Sequence, residues 1–128
     1  MKFTEETYVD FAENAILKLM KQKETEGKEI VTTTQIRNLL AMTMDIKNDI
    51  LESGNGPLSS EILERIQYLK IRILYEAGRT PSVKALVEAA NLRKILEALG
   101  ETRRGYLLFC RYMEALVAFR KFLVEKDA

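Results

Sequence analysis

Three arginines and two tyrosines alternate in the middle of the chain, and their types and spacing suit the binding of phosphate groups. In chain order they are Arg65, Tyr68, Arg72, Tyr75 and Arg79. On a helix the seven-residue interval places the guanidinium groups in one row, about 10.5 Å apart. Guanidinium groups bind phosphate through paired hydrogen bonds, and tyrosine rings stack on bases or pack on sugars. The pattern predicts a face that binds a nucleic-acid backbone; the alternative is a solvated face whose arginines pair with Glu61 and Glu76.

The residue types that the chain lacks or contains only once exclude most catalytic chemistry. Histidine is absent and the only cysteine is Cys110, which excludes imidazole catalysis, Cys-His dyads, zinc fingers and intramolecular disulfides. Cys110 lies in an apolar run, as is typical of an inert packing residue. The nineteen acidic residues show no metal-binding or glycosidase spacing. We therefore expect no catalytic residue, no metal, no cofactor and no enzyme activity.

Helices must position these side chains, because apolar residues recur at i, i+3 and i+4 and no useful stretch of strand alternation occurs. With 128 residues, 47% apolar and 30% charged, the chain has the composition of one soluble domain. Thr80 followed by Pro81 is a strong helix start. The sequence predicts a single all-α domain over residues 1–128, a bundle of about five helices at residues 4–23, 33–52, 59–77, 81–99 and 102–125.

The last predicted helix is apolar nearly all round. Between residues 106 and 119 only Arg111 and Glu114 are charged. A helix of this kind lies at the centre of a bundle or at a subunit interface, and the sequence leaves both interpretations open.

Charge is divided unevenly along a nearly neutral chain. Residues 1–64 carry a net charge of −5 and residues 65–128 carry +6, which together give +1. Such a chain can stack head to tail or present one basic side to a polyanion.

No apolar run reaches the roughly 18–20 residues of a membrane span, and the first residues lack the pattern of a signal peptide. We therefore expect a cytoplasmic protein without membrane contact.

Three stretches of the sequence resemble one protein family in their order and spacing. They are residues 33–40 (TTQIRNLL), 66–79 (IQYLKIRILYEAGR) and 111–119 (RYMEALVAF). Together they resemble the small helical subunit of type III-A CRISPR–Cas effector complexes, the Csm small subunit, over about residues 32–121. The resemblance implies a non-catalytic structural subunit for antiviral defence. Its copies stack along the guide RNA–target RNA duplex and contact the phosphate backbone, while guide pairing supplies the specificity.

Carried onto matching positions, the resemblance implies RNA contacts at Arg37, Lys70, Arg72, Arg79, Arg111 and Arg120. The seven-residue row adds Arg65. By the helical wheel, however, Lys70 falls near the apolar face, where lysines usually pass the core and pair with a carboxylate. The sequence leaves both roles of Lys70 open.

The predicted partners are guide RNA, target RNA, other subunits of the effector complex and neighbouring copies of the chain. A second function remains possible on the sequence alone. The chain would then be a helical protein–protein adaptor or homodimer that uses the apolar last helix and has no nucleic-acid role.

Overall fold

The computed structural model describes residues 1–125, and positions 126–128 of the predicted domain lie outside the described residues. The fold is all-helical, as the sequence predicts. In the described part six helices follow one another: α1 Tyr8–Glu26, α2 Thr33–Glu52, α3 Ser60–Arg79, α4 Pro81–Ala89, α5 Leu92–Leu99 and α6 Arg103–Leu123. None of them is long and apolar enough to cross a bilayer.

The predicted helix at residues 81–99 is divided into α4 and α5. The division falls at Asn91, whose φ of 55° lies in the left-handed region, and asparagine adopts this conformation more readily than most residues with a side chain. The Tyr112 hydroxyl donates a hydrogen bond of 2.8 Å to the carbonyl of Ala90 at the break. A side chain of α6 thus satisfies backbone that a continuous helix would have paired internally.

The first helix also differs from its predicted range of 4–23. Residues 4–7 form a turn, and the regular helix begins at Tyr8 and continues to Glu26. Gly27, with φ 70°, ends the helix, and its N–H donates to the Lys23 carbonyl at 3.0 Å. Glycine suits this cap because it has no Cβ to clash in the left-handed conformation.

Helix α6 is the central helix of the bundle and packs against α1, α2 and α5. The large side chains of its inner face are fully buried: Tyr106, Phe109, Tyr112, Met113 and Leu116. The Tyr106 hydroxyl donates to the Thr43 carbonyl at 2.9 Å, so this buried polar atom has a partner. Of the two interpretations of the apolar last helix, the core position is confirmed.

Helix α3 packs against α2, α4 and α5 and positions the arginine row. Its inner face buries Ile62, Ile66, Leu69, Ile73 and Ala77. Helices α2 and α3 are antiparallel, because Arg65 near the start of α3 meets Asp49 near the end of α2. Consistently, Arg79 at the end of α3 lines a cavity with Gln35 from the first turn of α2.

Candidate nucleic-acid interface

The arginine row lies beside the groove between α2 and α3, which we call the α2–α3 groove. All three arginines are exposed. Two cavities follow the groove, one of about 450 Å³ and one of about 180 Å³. Arg72 lines both cavities, whereas Arg79 lines only the larger and Arg65 only the smaller. The row predicted from the seven-residue spacing is therefore one continuous edge of this groove.

The larger cavity combines cationic, acidic and amide groups from both helices. Its polar lining consists of Gln35, Asn38, Arg72, Glu76, Arg79 and Thr80. Arg79 is partly engaged, because its Nε lies 3.7 Å from the Glu76 carboxylate and its guanidinium carbon lies 5.9 Å from the centre of the Tyr75 ring. Arg72 has no ion-pair or hydrogen-bond partner within residues 1–125. Its guanidinium is thus available to an external anion.

Gln35 is held rigidly at the mouth of the same cavity. It is the third residue of α2 and forms a capping box with Thr32: its own N–H donates to the Thr32 hydroxyl at 3.1 Å. In return, Gln35 Oε1 accepts from the Thr32 N–H at 2.9 Å. The same oxygen accepts from the hydroxyl of Ser82, on α4, at 3.1 Å. The side-chain nitrogen of Gln35 has no partner among the described residues.

The smaller cavity marks a less basic end of the groove. Arg65 forms an ion pair with Asp49 on α2, and Asp45 lines this cavity as well. These carboxylates offset the charge of Arg65, and Glu76 partly offsets that of Arg79, so within residues 1–125 Arg72 is the least compensated arginine of the row. Arg37 is exposed on α2 but lines neither cavity, because it lies on a different face of the helix from Gln35, Asn38 and Met42.

Lys70 faces a different flank of α3. Its Nζ lies 3.6 Å from the Glu97 carboxylate on α5, and its side chain is 25% exposed. The helical-wheel interpretation, which gave Lys70 a carboxylate partner beside the core, is confirmed. The structure does not bring Lys70 to the α2–α3 groove.

Arg120 requires a correction. The side chain was expected to reach RNA, but Arg120 is only 3% exposed, and its Nε donates to the Val31 carbonyl at 2.6 Å. Burial removes it from any surface that a polyanion could touch, and its hydrogen bond ties α6 to the segment that precedes α2. Arg120 therefore has a structural role.

Arg111 is exposed on α6 but belongs to another region of the surface. Its charge acts on Glu5, whose pKa is lowered chiefly by the hydrogen bond from Arg104 and to a smaller extent by Arg111. The Arg104 Nε–Glu5 Oε2 distance is 2.6 Å. The Arg104–Glu5 contact links the N-terminal segment to α6. Among the described residues, no contact brings Arg111 to the groove.

Sequence reasoning missed the groove residues that are not cationic. Gln35, Asn38 and Glu76 were not singled out as site residues, yet all three line the larger cavity. One signal for Gln35 was present, because Thr32 and Gln35 have the spacing of a capping box and so place Gln35 in the first turn of a helix. Glu76 was weighed only as a partner for the arginines.

The fold and the groove together define a class: a small all-helical protein with an open groove lined by arginines and carboxylates. Within residues 1–125 no group of three or more Cys, Asp or Glu residues is placed to hold a metal ion. Cys110 is fully buried, and burial raises the pKa of its thiol to about 12. This residue is therefore part of the packing, as its apolar surroundings predicted.

Comparison with known proteins identifies the family within this class. The Csm2 type III-A family model matches residues 13–126. CRISPR system Cms protein Csm2 of Mycobacterium tuberculosis is 42% identical over 127 residues, covering 99% of both chains. The protein of the same name from Streptococcus thermophilus is 41% identical over 126 residues, covering 97% of both. The chain belongs to the Csm2 family, the small subunit of type III-A CRISPR complexes, so the resemblance drawn from three stretches of sequence is confirmed.

Proposed function

We propose that this chain is a non-catalytic RNA-binding subunit that contacts the phosphate backbone of the guide RNA–target RNA duplex through the α2–α3 groove. The observation that carries the proposal is the exposed guanidinium of Arg72, which has no partner within residues 1–125, beside that of Arg79. Family membership supports the coarser part of the proposal, that the chain acts together with other subunits of a CRISPR complex. The chain would bind this duplex in the cytoplasm.

Backbone contact accounts for the arginines of the groove. Arg72 and Arg79 would form charge-assisted hydrogen bonds with phosphate oxygens, and each neutralised phosphate would release condensed counterions. Asp49 weakens the contribution of Arg65, and Arg37 would add a separate phosphate contact from an exposed position outside the groove. Phosphates are identical in every sequence, so these contacts position the duplex without selecting its bases.

The proposal is tested by fluorescence anisotropy with two RNA duplexes of unrelated sequence. The Arg72→Ala/Arg79→Ala variant should bind both duplexes at least tenfold more weakly, and by the same factor, because two phosphate contacts are lost. Arg93→Ala removes an exposed arginine of α5 that does not line the groove and serves as the control, with affinity close to wild type. Unchanged affinity in the double variant, or a loss for one duplex only, would contradict the mechanism.

A second candidate function, a protein–protein adaptor without an RNA role, is favoured by one observation. The outer face of α3 exposes three large side chains, Tyr68, Ile71 and Tyr75, each by about 60%. Large apolar side chains that are exposed at neighbouring helical positions often mark a protein interface. Stacking of neighbouring copies in the complex would cover this face as well. RNA binding at low salt separates the two functions. An adaptor self-associates, as sedimentation at high salt would show, but binds no RNA at low salt.

A further inference from the structure

The larger cavity of the α2–α3 groove contains a carboxylate that simple phosphate binding does not explain. Glu76 uses Oε2 to face Arg79 at 3.7 Å, and its side chain is 29% exposed. Its other oxygen, Oε1, has no hydrogen-bond or ion-pair partner within the described residues. A carboxylate repels a phosphate at close range. Its presence between two phosphate-binding arginines points to a ligand that also offers a hydrogen-bond donor.

Gln35, which lines both this cavity and the neighbouring one beside α4, carries a donor of fixed orientation. The atom of Gln35 that faces the Thr32 N–H must be its oxygen, because a backbone N–H can only donate. The Ser82 hydroxyl engages the same oxygen. The remaining side-chain nitrogen of Gln35 is a donor whose direction is set by two hydrogen bonds to the Gln35 oxygen, one of which belongs to the helix cap. The side chain therefore loses little conformational freedom on binding.

A ribose 2′-hydroxyl matches this pair of groups because it both donates and accepts a hydrogen bond. Carboxylates serve the same purpose in dinucleotide-binding folds, where an acidic side chain binds a ribose hydroxyl. We infer that the larger cavity of the α2–α3 groove reads the sugar of the RNA backbone, with one 2′-hydroxyl donating to Glu76 and accepting from Gln35 while Arg72 and Arg79 hold the flanking phosphates. This inference rests on the proposed function and adds to it a selection of RNA over backbones that lack the hydroxyl.

The test compares an RNA duplex with a duplex of the same sequence that carries 2′-fluoro groups on both strands. Fluorine keeps the A-form sugar pucker but cannot donate a hydrogen bond, so shape is held constant. Wild type should bind the RNA duplex roughly tenfold more tightly, as expected for the loss of a hydrogen bond to a charged group. Arg72→Ala should weaken both duplexes and leave their ratio unchanged.

Two variants remove the sugar contacts with little disturbance of the fold. Glu76→Gln removes the charge of the acceptor. Gln35→Glu keeps the capping box, since glutamate serves equally at this position, but it replaces the donor with a carboxylate oxygen. Each should reduce the RNA to 2′-fluoro ratio below threefold. Gln67→Glu, which adds the same charge on the α5 flank of α3, is the matched control and should retain the wild-type ratio.

The outcomes separate the two proposals. A wild-type ratio near one, together with weaker binding of both duplexes by Arg72→Ala, would overturn the sugar contact and leave the backbone-binding function standing. A wild-type ratio of ten that persists in both Glu76→Gln and Gln35→Glu would also overturn it, because other residues would then read the sugar. Failure of Arg72→Ala to weaken either duplex would overturn the proposed function and this inference with it.

Discussion

At the scale of single residues, the environment decides what an arginine does. Arg72 and Arg120 both lie on helices and were both expected to contact RNA. Arg72 is exposed and unpartnered among residues 1–125, whereas Arg120 is 3% exposed and hydrogen-bonded to the Val31 carbonyl. The partner of Arg120 is 89 residues away in sequence. No helical wheel contains that information, because it arises only when α6 packs against the segment before α2.

The role of Arg120 predicts a stability effect without a binding effect. Arg120→Met should lower the free energy of unfolding by about 2 kcal/mol, since the Val31 carbonyl loses a charged donor in a buried position. Urea denaturation measures this loss. Lys121→Met, at the exposed neighbouring position, should change the stability by less than about 0.5 kcal/mol. A folded Arg120→Met variant of wild-type stability with weakened RNA binding would contradict this assignment.

Cys110 predicts a loss of stability at alkaline pH. Burial raises the pKa of its thiol from the ordinary 9.0 to about 12, and burial also raises the pKa values of Tyr106 and Tyr112. The unfolded chain therefore releases these protons first. The stabilisation is complete below about pH 9 and is lost as the pH rises towards the folded value, by up to about 1.4 kcal/mol per pH unit for each group.

Urea denaturation between pH 8 and pH 10 measures this effect. Cys110→Ala lacks the first of the three ionisations, so its free energy of unfolding should fall less steeply with pH than that of wild type. The absolute stability of the variant is lower because of the missing packing, and only the slope is compared. Parallel slopes in the two proteins would contradict the assignment.

At the scale of elements, the α2–α3 groove shows what the sequence could and could not predict. Helical periodicity predicted both helices to within about two residues, and the seven-residue interval predicted the row of Arg65, Arg72 and Arg79. The facing side chains of α2 were not predicted. The packing of the two helices determines which residues of α2 lie opposite the row. The periodicity of one helix does not show how far, or at what angle, it is shifted relative to its neighbour.

The pairing of Arg65 with Asp49 predicts that one acidic residue weakens RNA binding. Asp49→Asn frees Arg65 and removes a negative charge from the groove, so RNA affinity should rise about two- to fivefold, in line with the small energies of exposed ion pairs. Anisotropy at low salt measures the change. Glu24→Gln removes an equal charge at an exposed position of α1 and controls for net charge. An equal rise in both variants would show that Asp49 has no local effect.

At the scale of the whole molecule, the uneven charge along the chain is expressed in the fold. The acidic first half supplies α2, with Asp45 and Asp49, and the basic second half supplies the arginines of α3. Because the helices are antiparallel, Asp45 and Asp49 lie at the Arg65 end of the groove, which is less basic than the Arg79 end. The all-helical fold and the family followed from sequence patterns, whereas the break at Asn91 and the buried Arg120 required the packed bundle.

The central claim is that Arg72 and Arg79 neutralise phosphates, and the salt dependence of RNA-duplex binding tests it most directly. The logarithm of the binding constant falls linearly with the logarithm of salt concentration, and the slope counts the neutralised phosphates. The Arg72→Ala/Arg79→Ala variant should have a slope shallower than wild type by about two, one for each lost contact, while Arg93→Ala should keep the wild-type slope. A double variant with the wild-type slope would contradict the claim and place the RNA-binding surface outside the α2–α3 groove.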